Sequence, residues 1–427
     1  MAASDPTNKD IARRVFETPL ADTHNHLSPE AQRLAERHDF TLLFDGYASG
    51  VLRRCGMPAD DITRLGRKDL TPEEKWRLMA PFWPRARVTG VMRAQVHTVR
   101  ELFGFDDLNE KTVGPVTEMI RATNQPGRVR EVLDKANLHH VQICGQGVFP
   151  DALEEHGFFT YDLVATTFVT GLAIAELEKR LGRAVDSLDR YLEAVDLCFE
   201  RCGPRACAIK LQNGYFRTLD FRKTAKADAR KAFAALNADR PHGEYQPTAR
   251  TRPFEDFVYH HIVALARKYD LPVRHHIGFT AGVFHGVHGD HPHHLEPTIK
   301  ANPDVRFILL HAGYPYLAET IGICQSNANA YADLGWIWQL NPAASARFVR
   351  EFVTSVGPRQ LLLFGGDTGF PETTYGYSRL ARHGLAQAVG SMLADHLIDG
   401  SDVEYLIDSL CFENARDCFR LADRFGL

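Results

Sequence analysis

Two histidines separated by one residue, His24 and His26, close the short apolar run at 20–27 (LADTHNHL). Along a strand, residues i and i+2 face the same side, so both imidazoles would converge on one point. Later apolar runs end in the same manner. Lys210 closes ACAIK, His275 and His276 close VRHH, His311 closes FILLH, and Asp367 closes LLLFGGD. Imidazole nitrogens joined by one carboxylate form a donor set for a divalent transition metal, with zinc first and manganese, iron or nickel as alternatives, and with one or two ions. A single HxH pair is common by chance, and a strand-end histidine by itself is an ordinary core or loop residue. Five ligand-type residues, His24, His26, His276, His311 and Asp367, all falling at strand ends are much harder to assign to chance. Asp367 after LLLF would also be costly to bury without a cation or hydrogen bonds.

The elements that would position these residues are short apolar runs alternating with amphipathic helical stretches. The runs lie at 20–27, 140–144, 206–211, 272–279, 306–313, 329–334 and 361–367, and the third strand of the series is placed at 163–169 (LVATTFV). Between them, segments such as 187–201, 253–269 and 344–356 repeat apolar residues every three or four positions. Continuous apolar strands alternating with helices imply a parallel sheet covered on both faces, and about eight such units close into a (β/α)8 TIM-type barrel. In that architecture the strand C-termini share one mouth, so the candidate ligands would meet there. Residues 28–138 break the alternation. They are rich in charge and helix formers, with a Thr-Pro-Glu-Glu helix start at 71–74, and read as a helical insertion capping the mouth. Residues 215–252 read as a polar loop over the same mouth. The whole chain, 1–427, is expected to be a single barrel domain.

Composition sets the outer bounds. The chain is 44% hydrophobic and 24% charged with a formal net charge of −4, which gives no electrostatic reason to expect nucleic acid or an acidic membrane as partner. The polar N-terminal segment and the lack of any run of about 18 apolar residues point to a soluble, cytoplasmic protein. The eight cysteines are scattered without CxxC spacing, so neither a zinc knuckle nor a disulfide framework is expected. The expected partner is a small-molecule substrate, and a homo-oligomeric state is left open.

HxH on the first strand, Lys on the fourth, His on the fifth and sixth and Asp on the eighth resembles the ligand order of the amidohydrolase superfamily. Within it, DTHNHLSPE at 22–30, RHHIG at 274–278 and LCFENARDCF at 410–419 resemble the uronate (glucuronate) isomerase branch, as does the helical insertion after the first strand. AIKLQ, ILLHAGYP and GGDTGFP resemble the amidohydrolase-related hydrolases and decarboxylases instead. The isomerase branch carries Asp-Ser-Arg at the eighth strand, whereas this chain has Asp367-Thr368-Gly369. The missing arginine would hold a sugar-acid carboxylate, so the resemblance leans toward a hydrolase, with an aldose–ketose isomerase second and a decarboxylase third. A non-catalytic metabolite-binding barrel is the rival from another class, and the complete ligand set argues against it.

The resemblance implies that His24, His26 and Asp367 hold a metal, with His276 and His311 completing a second site or polarising a carbonyl. It also implies that Lys210 can be carboxylated to bridge two ions, since a plain ammonium cannot ligate. Asp367 and His311 are the catalytic candidates, with Asp367 taking a proton from a metal-activated water. Tyr215, Arg217, Arg274 and Tyr314 are the candidates for substrate binding, and the arginines suggest an anionic metabolite. The tract HGVHGDHPHH at 285–294 reads as a polar loop with incidental metal affinity. Asn414 and Arg416 read as helix-packing residues.

Overall fold

The computed structural model describes residues 6–44, 46–145, 158–239, 248–281 and 290–427. Eight parallel strands run in the order β1-β2-β3-β4-β5-β6-β7-β8. They are β1 (Leu20–Asn25), β2 (Leu138–Ile143), β3 (Phe159–Val164), β4 (Ala208–Leu211), β5 (Val273–His276), β6 (Phe307–Leu310), β7 (Ala330–Asp333) and β8 (Leu361–Leu362). The segment after β8 returns to β1, with Thr23 N donating to the Phe364 carbonyl (2.8 Å) and Asp367 N to the His24 carbonyl (2.8 Å). The sheet therefore curls into the expected (β/α)8 barrel. The helices Leu188–Cys202, Arg252–Tyr269 and Pro342–Ser355 fall within two residues of the expected stretches.

Two expectations are corrected. The third strand is not at 163–169: it is FTYDLV, ending at Val164, and Thr166–Thr170 is a short helix. The β-branched run there fills helix-packing positions, while the real strand alternates apolar with Thr160 and Asp162, both buried. The segment 215–252 is not simply a loop, because it contains the helix Lys226–Ala238, which buries Ala229, Ala232, Phe233 and Leu236 on one face.

Between β1 and β2 the chain forms a cap of helices with its own core, built around Phe40, Trp76, Met79, Trp83, Met92 and Val99. The helix Pro72–Met79 begins at Thr71, whose side chain and that of Glu74 form a reciprocal capping box. A buried ionic clamp fixes the cap to the barrel. Glu372, at the start of the helix Pro371–Ala394, receives Arg33 in bidentate fashion (2.8 and 3.2 Å) and lies 3.5 Å from Arg128. At the opposite end, Ala415, Cys418, Phe419 and Leu421 pack against Cys207, Ile308, Tyr331 and Leu362. Asn414 donates to the carbonyls of Pro358 and Leu361 (2.7 and 2.9 Å), a packing role. All eight cysteines are free, and no helix among the described residues is long and apolar enough to cross a membrane.

Candidate metal centre

Strand β1 and the loop after β8 are locked together by short polar side chains. The Asp22 carboxylate accepts from the backbone N–H groups of His24 and Gly366 (both 3.1 Å) and from Asn25 Nδ2 (2.6 Å). Asn25 Oδ1 accepts from the N–H groups of His26 (2.9 Å) and Thr368 (3.1 Å). Close approach also requires glycine, since a Cβ at Gly365 would lie 2.9 Å from His24 Cβ and 3.0 Å from the His24 carbonyl oxygen. The result presents Asp367, in left-handed backbone (φ 48°), to both histidines of the HxH pair. His311 (φ 61°) and Trp336 (φ 73°) share that uncommon conformation, so strained backbone gathers at this mouth.

All six sequence-derived ligand candidates come together. Asp367 Oδ1 lies 3.1 Å from His26 Nε2 and 3.4 Å from His24 Nε2. Lys210 Nζ is 3.4 Å from His24 Nε2, and His311 Nε2 is 3.0 Å from His276 Nδ1. Ligand atoms of His24, His311 and Asp367 all lie within 4.8 Å of one another.

The outward-facing ring nitrogens decide what the inward ones can offer. His26 Nδ1 donates to the Cys144 carbonyl (2.8 Å), His311 Nδ1 to the Gly335 carbonyl (2.8 Å), and His276 Nε2 to the Phe279 carbonyl (3.0 Å). A carbonyl can only accept, so each of these nitrogens carries the proton, and each neutral ring turns a lone pair inward. The inward nitrogens of His276 and His311 then face each other lone pair to lone pair, and that of His26 faces a carboxylate oxygen. Burial pushes the His311 imidazole down to about 4 and those of His24 and His276 well below their usual range, so protons are a poor means of relieving the repulsion. Burial alone would raise the Asp367 carboxyl; positive charge at the His24 and His26 nitrogens facing it holds it well below the usual carboxylate range, and with neutral rings a shared cation takes that part. Inward lone pairs around one ionised carboxylate fit a shared cation. Burial likewise lowers the Lys210 amine, with the Arg274 charge adding to the effect.

The substrate-binding candidates divide. The Tyr215 ring packs 4.6 Å from that of His276, and its hydroxyl accepts from Ala281 N (3.1 Å), which places it at the centre. Tyr314 leans toward Asn341 (3.4 Å), while its carbonyl accepts from Phe279 N (2.6 Å). Arg217 is not available to a substrate, because its guanidinium is bound to Glu255 (2.8 Å), Asp256 (2.7 Å) and the Asp220 carbonyl. Nor is Arg274, which is fully buried in the barrel interior between Asp162 (2.7 Å) and Asp333 (3.3 Å). Thr23 and Gln142 complete that interior network.

Three site residues were not anticipated from sequence. The Tyr47 hydroxyl, from the cap helix Gly46–Arg54, donates to Asp367 Oδ2 at 2.9 Å. The Trp336 ring packs on Tyr47 (4.8 Å), His311 (5.1 Å) and Phe279 (5.6 Å). Cys144 brings a ligand-type atom within 4.8 Å of those of His24 and His26, although burial pushes its thiol up to about 12. Only Cys144 carried a sequence signal, as the last residue of the run HVQIC. Of the histidine tract, His285 and His288 lie outside the described residues.

The amidohydrolase family model matches residues 173–421, more than half of the chain. The chain belongs to the amidohydrolase family. Protein fluG of Emericella nidulans is 28% identical over 141 residues, 31% of this chain and 16% of that protein. A uronate isomerase of Corynebacterium efficiens is 34% identical over 90 residues, 19% of each chain. This amidohydrolase thus aligns with less than a fifth of the length of either curated relative. In fold it is similar throughout to the uronate isomerase of Thermotoga maritima, with a TM-score of 0.78 at 15% identity over 97% of this chain and 98% of that one.

Proposed function

We propose that this amidohydrolase is a metal-dependent hydrolase of a small metabolite, with a divalent transition ion, zinc first, held by His24, His26, His276, His311 and Asp367. The observation that carries the proposal is the grouping around one buried carboxylate of His24 with His26, His276 and His311, the last three with their outer nitrogens tied to backbone carbonyls and their inner lone pairs turned to the centre. When bound, the ion supplies Lewis acidity, lowering the pKa of a water and polarising a carbonyl. Asp367 is the base: its ionised carboxylate accepts the proton of the attacking water and returns it to the leaving group. Tyr47 orients that carboxylate through Oδ2. Trp336, Phe279 and Tyr215 supply an aromatic wall against the imidazoles, which excludes water and favours a substrate with an apolar or planar face. Lys210, with its amine depressed by burial, is placed to become a ligand on carboxylation. Both arginines expected to bind an anion are committed to carboxylates, so an anionic substrate loses its support.

A second reading, proton transfer between adjacent carbons of a sugar, is favoured by one observation. The Tyr47 hydroxyl on Asp367 sets a proton donor beside a carboxylate base. Turnover of a panel of lactones, cyclic amides, N-acyl compounds and uronates in 18O-labelled water separates the readings. Hydrolysis puts one labelled oxygen in the product. Isomerisation of a uronate with no hydrolytic turnover would overturn the hydrolase reading.

A further inference from the structure

Asp333, the last residue of β7, is fully buried, and its described hydrogen bonds reach none of the six ligand candidates. Its Oδ1 accepts from Gly335 N (2.7 Å), and its Oδ2 accepts from Thr23 Oγ1 (2.8 Å) and Arg274 Nη2 (3.3 Å). Burying a carboxylate is costly, and a purely stabilising Asp333 would serve chiefly as counter-charge to Arg274. Asp162 already fills that part at the shorter distance of 2.7 Å. The shortest bond of Asp333 goes instead to its own chain two residues on, the arrangement in which an Asp side chain fixes a backbone turn.

We infer that Asp333 is a positioning residue for His311: by anchoring Gly335 N it aims the Gly335 carbonyl that keeps the His311 proton on Nδ1 and leaves Nε2 free for the metal ion. What His311 then does rests on the metal-centre reading above, whereas how Asp333 acts follows from hydrogen-bond geometry alone. The peptide between Gly335 and Trp336 makes two bonds. Its carbonyl accepts from His311 Nδ1 (2.8 Å), and its N–H donates to the Gly365 carbonyl (3.1 Å) in the loop leading to Asp367. Glycine has the freest backbone of any residue, so without an anchor at Gly335 N this peptide can turn and lose its aim. The fit around it is close: a Cβ at Gly335 would lie 3.0 Å from Asp333 Oδ1 and 3.3 Å from Gly365 Cα. The other two bonds of Asp333 extend the same role. Thr23 adjoins His24, and Arg274 lies two residues before His276, so one carboxylate joins β1, β5 and the turn that receives His311. A partner that fixes the outer nitrogen of a metal-binding imidazole sets both its tautomer and its orientation.

The test compares zinc affinity, measured by competition with a chromophoric chelator, across single variants of the full chain. Asp333→Ala removes the anchor and should weaken binding about tenfold. Asp333→Asn keeps an oxygen for Gly335 N, with the Thr23 hydroxyl donating to the Phe364 carbonyl (2.8 Å), and should recover most of that loss. Asp162→Ala strips the closer carboxylate from the same arginine and has no bond to Gly335, so its affinity should stay near the parent's even where it melts earlier. Equal weakening by Asp162→Ala and Asp333→Ala, or no recovery with Asp333→Asn, in protein folded by circular dichroism, would overturn positioning in favour of a plain charge or stability role. A second readout needs no metal. In metal-free protein, histidine-selective 15N NMR, assigned with His311→Gln, should find the His311 Nδ1 proton slow to exchange in the parent and in Asp333→Asn, and fast in Asp333→Ala. A parent that binds no zinc while this contrast holds would sink the metal reading and support the role of Asp333. A proton equally protected in all three would overturn that role whatever the metal does.

Discussion

The buried clamp between cap and barrel offers a stability prediction that needs no substrate. Arg33, Glu372 and Arg128 have side chains 2%, 0% and 4% exposed, and one carboxylate serves both guanidiniums. Glu372→Gln keeps the shape and removes the charge. Arg128 retains Glu131 at 3.0 Å, whereas Arg33 is left with no described carboxylate. Stranding a buried charge in this way costs about 3–5 kcal/mol. For a chain of 427 residues, an unfolding entropy of about 0.9 kcal/mol/K converts that to a fall in Tm of about 3–6 °C. Arg33 stands at the start of the cap and Arg128 near its end, so the cap should loosen first. Limited proteolysis should then cut within residues 30–135 before the barrel. Arg33→Met combined with Glu372→Met removes both charges and should recover most of the loss. The reasoning is refuted if Glu372→Gln melts within 1 °C of the parent with unchanged proteolysis, or if the double variant is no more stable than the single one.

Tyr47→Phe deletes a charge-assisted hydrogen bond of about 1.5–3 kcal/mol to Asp367. It should lower kcat/KM roughly ten- to hundredfold on whichever panel substrate turns over, with Tm within about 2 °C. Burial depresses the His140 imidazole from 6.5 to about 3. Between those values the unfolded chain binds the extra proton, so stability rises with pH and is lost progressively as pH falls, by about 2–3 kcal/mol at pH 4.5. Urea midpoints of His140→Gln and parent should converge on acidification from pH 7 to 4.5, and parallel profiles would contradict the assignment. Chelation should lower Tm by about 3 °C relative to protein held at a hundredfold excess of free metal over Kd, a stabilisation of about 2.7 kcal/mol.

The ligand set was legible because strand alternation and strand-end position are local properties of the sequence. His24, His26, Lys210, His276, His311 and Asp367 all ended or followed apolar runs, and barrel topology gathers such ends. The third strand was harder because the barrel interior is not apolar. Asp162 on that strand meets Arg274 and Gln142, so the true strand lacks the apolar continuity that marks its neighbours. Arg217 and Arg274 misled for a related reason. Their partners Glu255, Asp256, Asp162 and Asp333 are distant in sequence, and only the fold shows the guanidiniums already taken. Tyr47 left no trace, since an insertion's register against the mouth is set by tertiary packing. The helix Lys226–Ala238 did carry a readable signal, because Ala229, Ala232, Phe233 and Leu236 recur at helical spacing beneath a charged surface.

The central claim is that the imidazoles around Asp367 hold a metal ion. The most direct test is the elemental content of tag-free protein. One or two equivalents of a transition metal are expected, two if Lys210 bridges, falling to none when His24→Ala or Asp367→Ala is added. A folded parent that takes up no metal after reconstitution, or one whose metal survives both changes, would contradict the account.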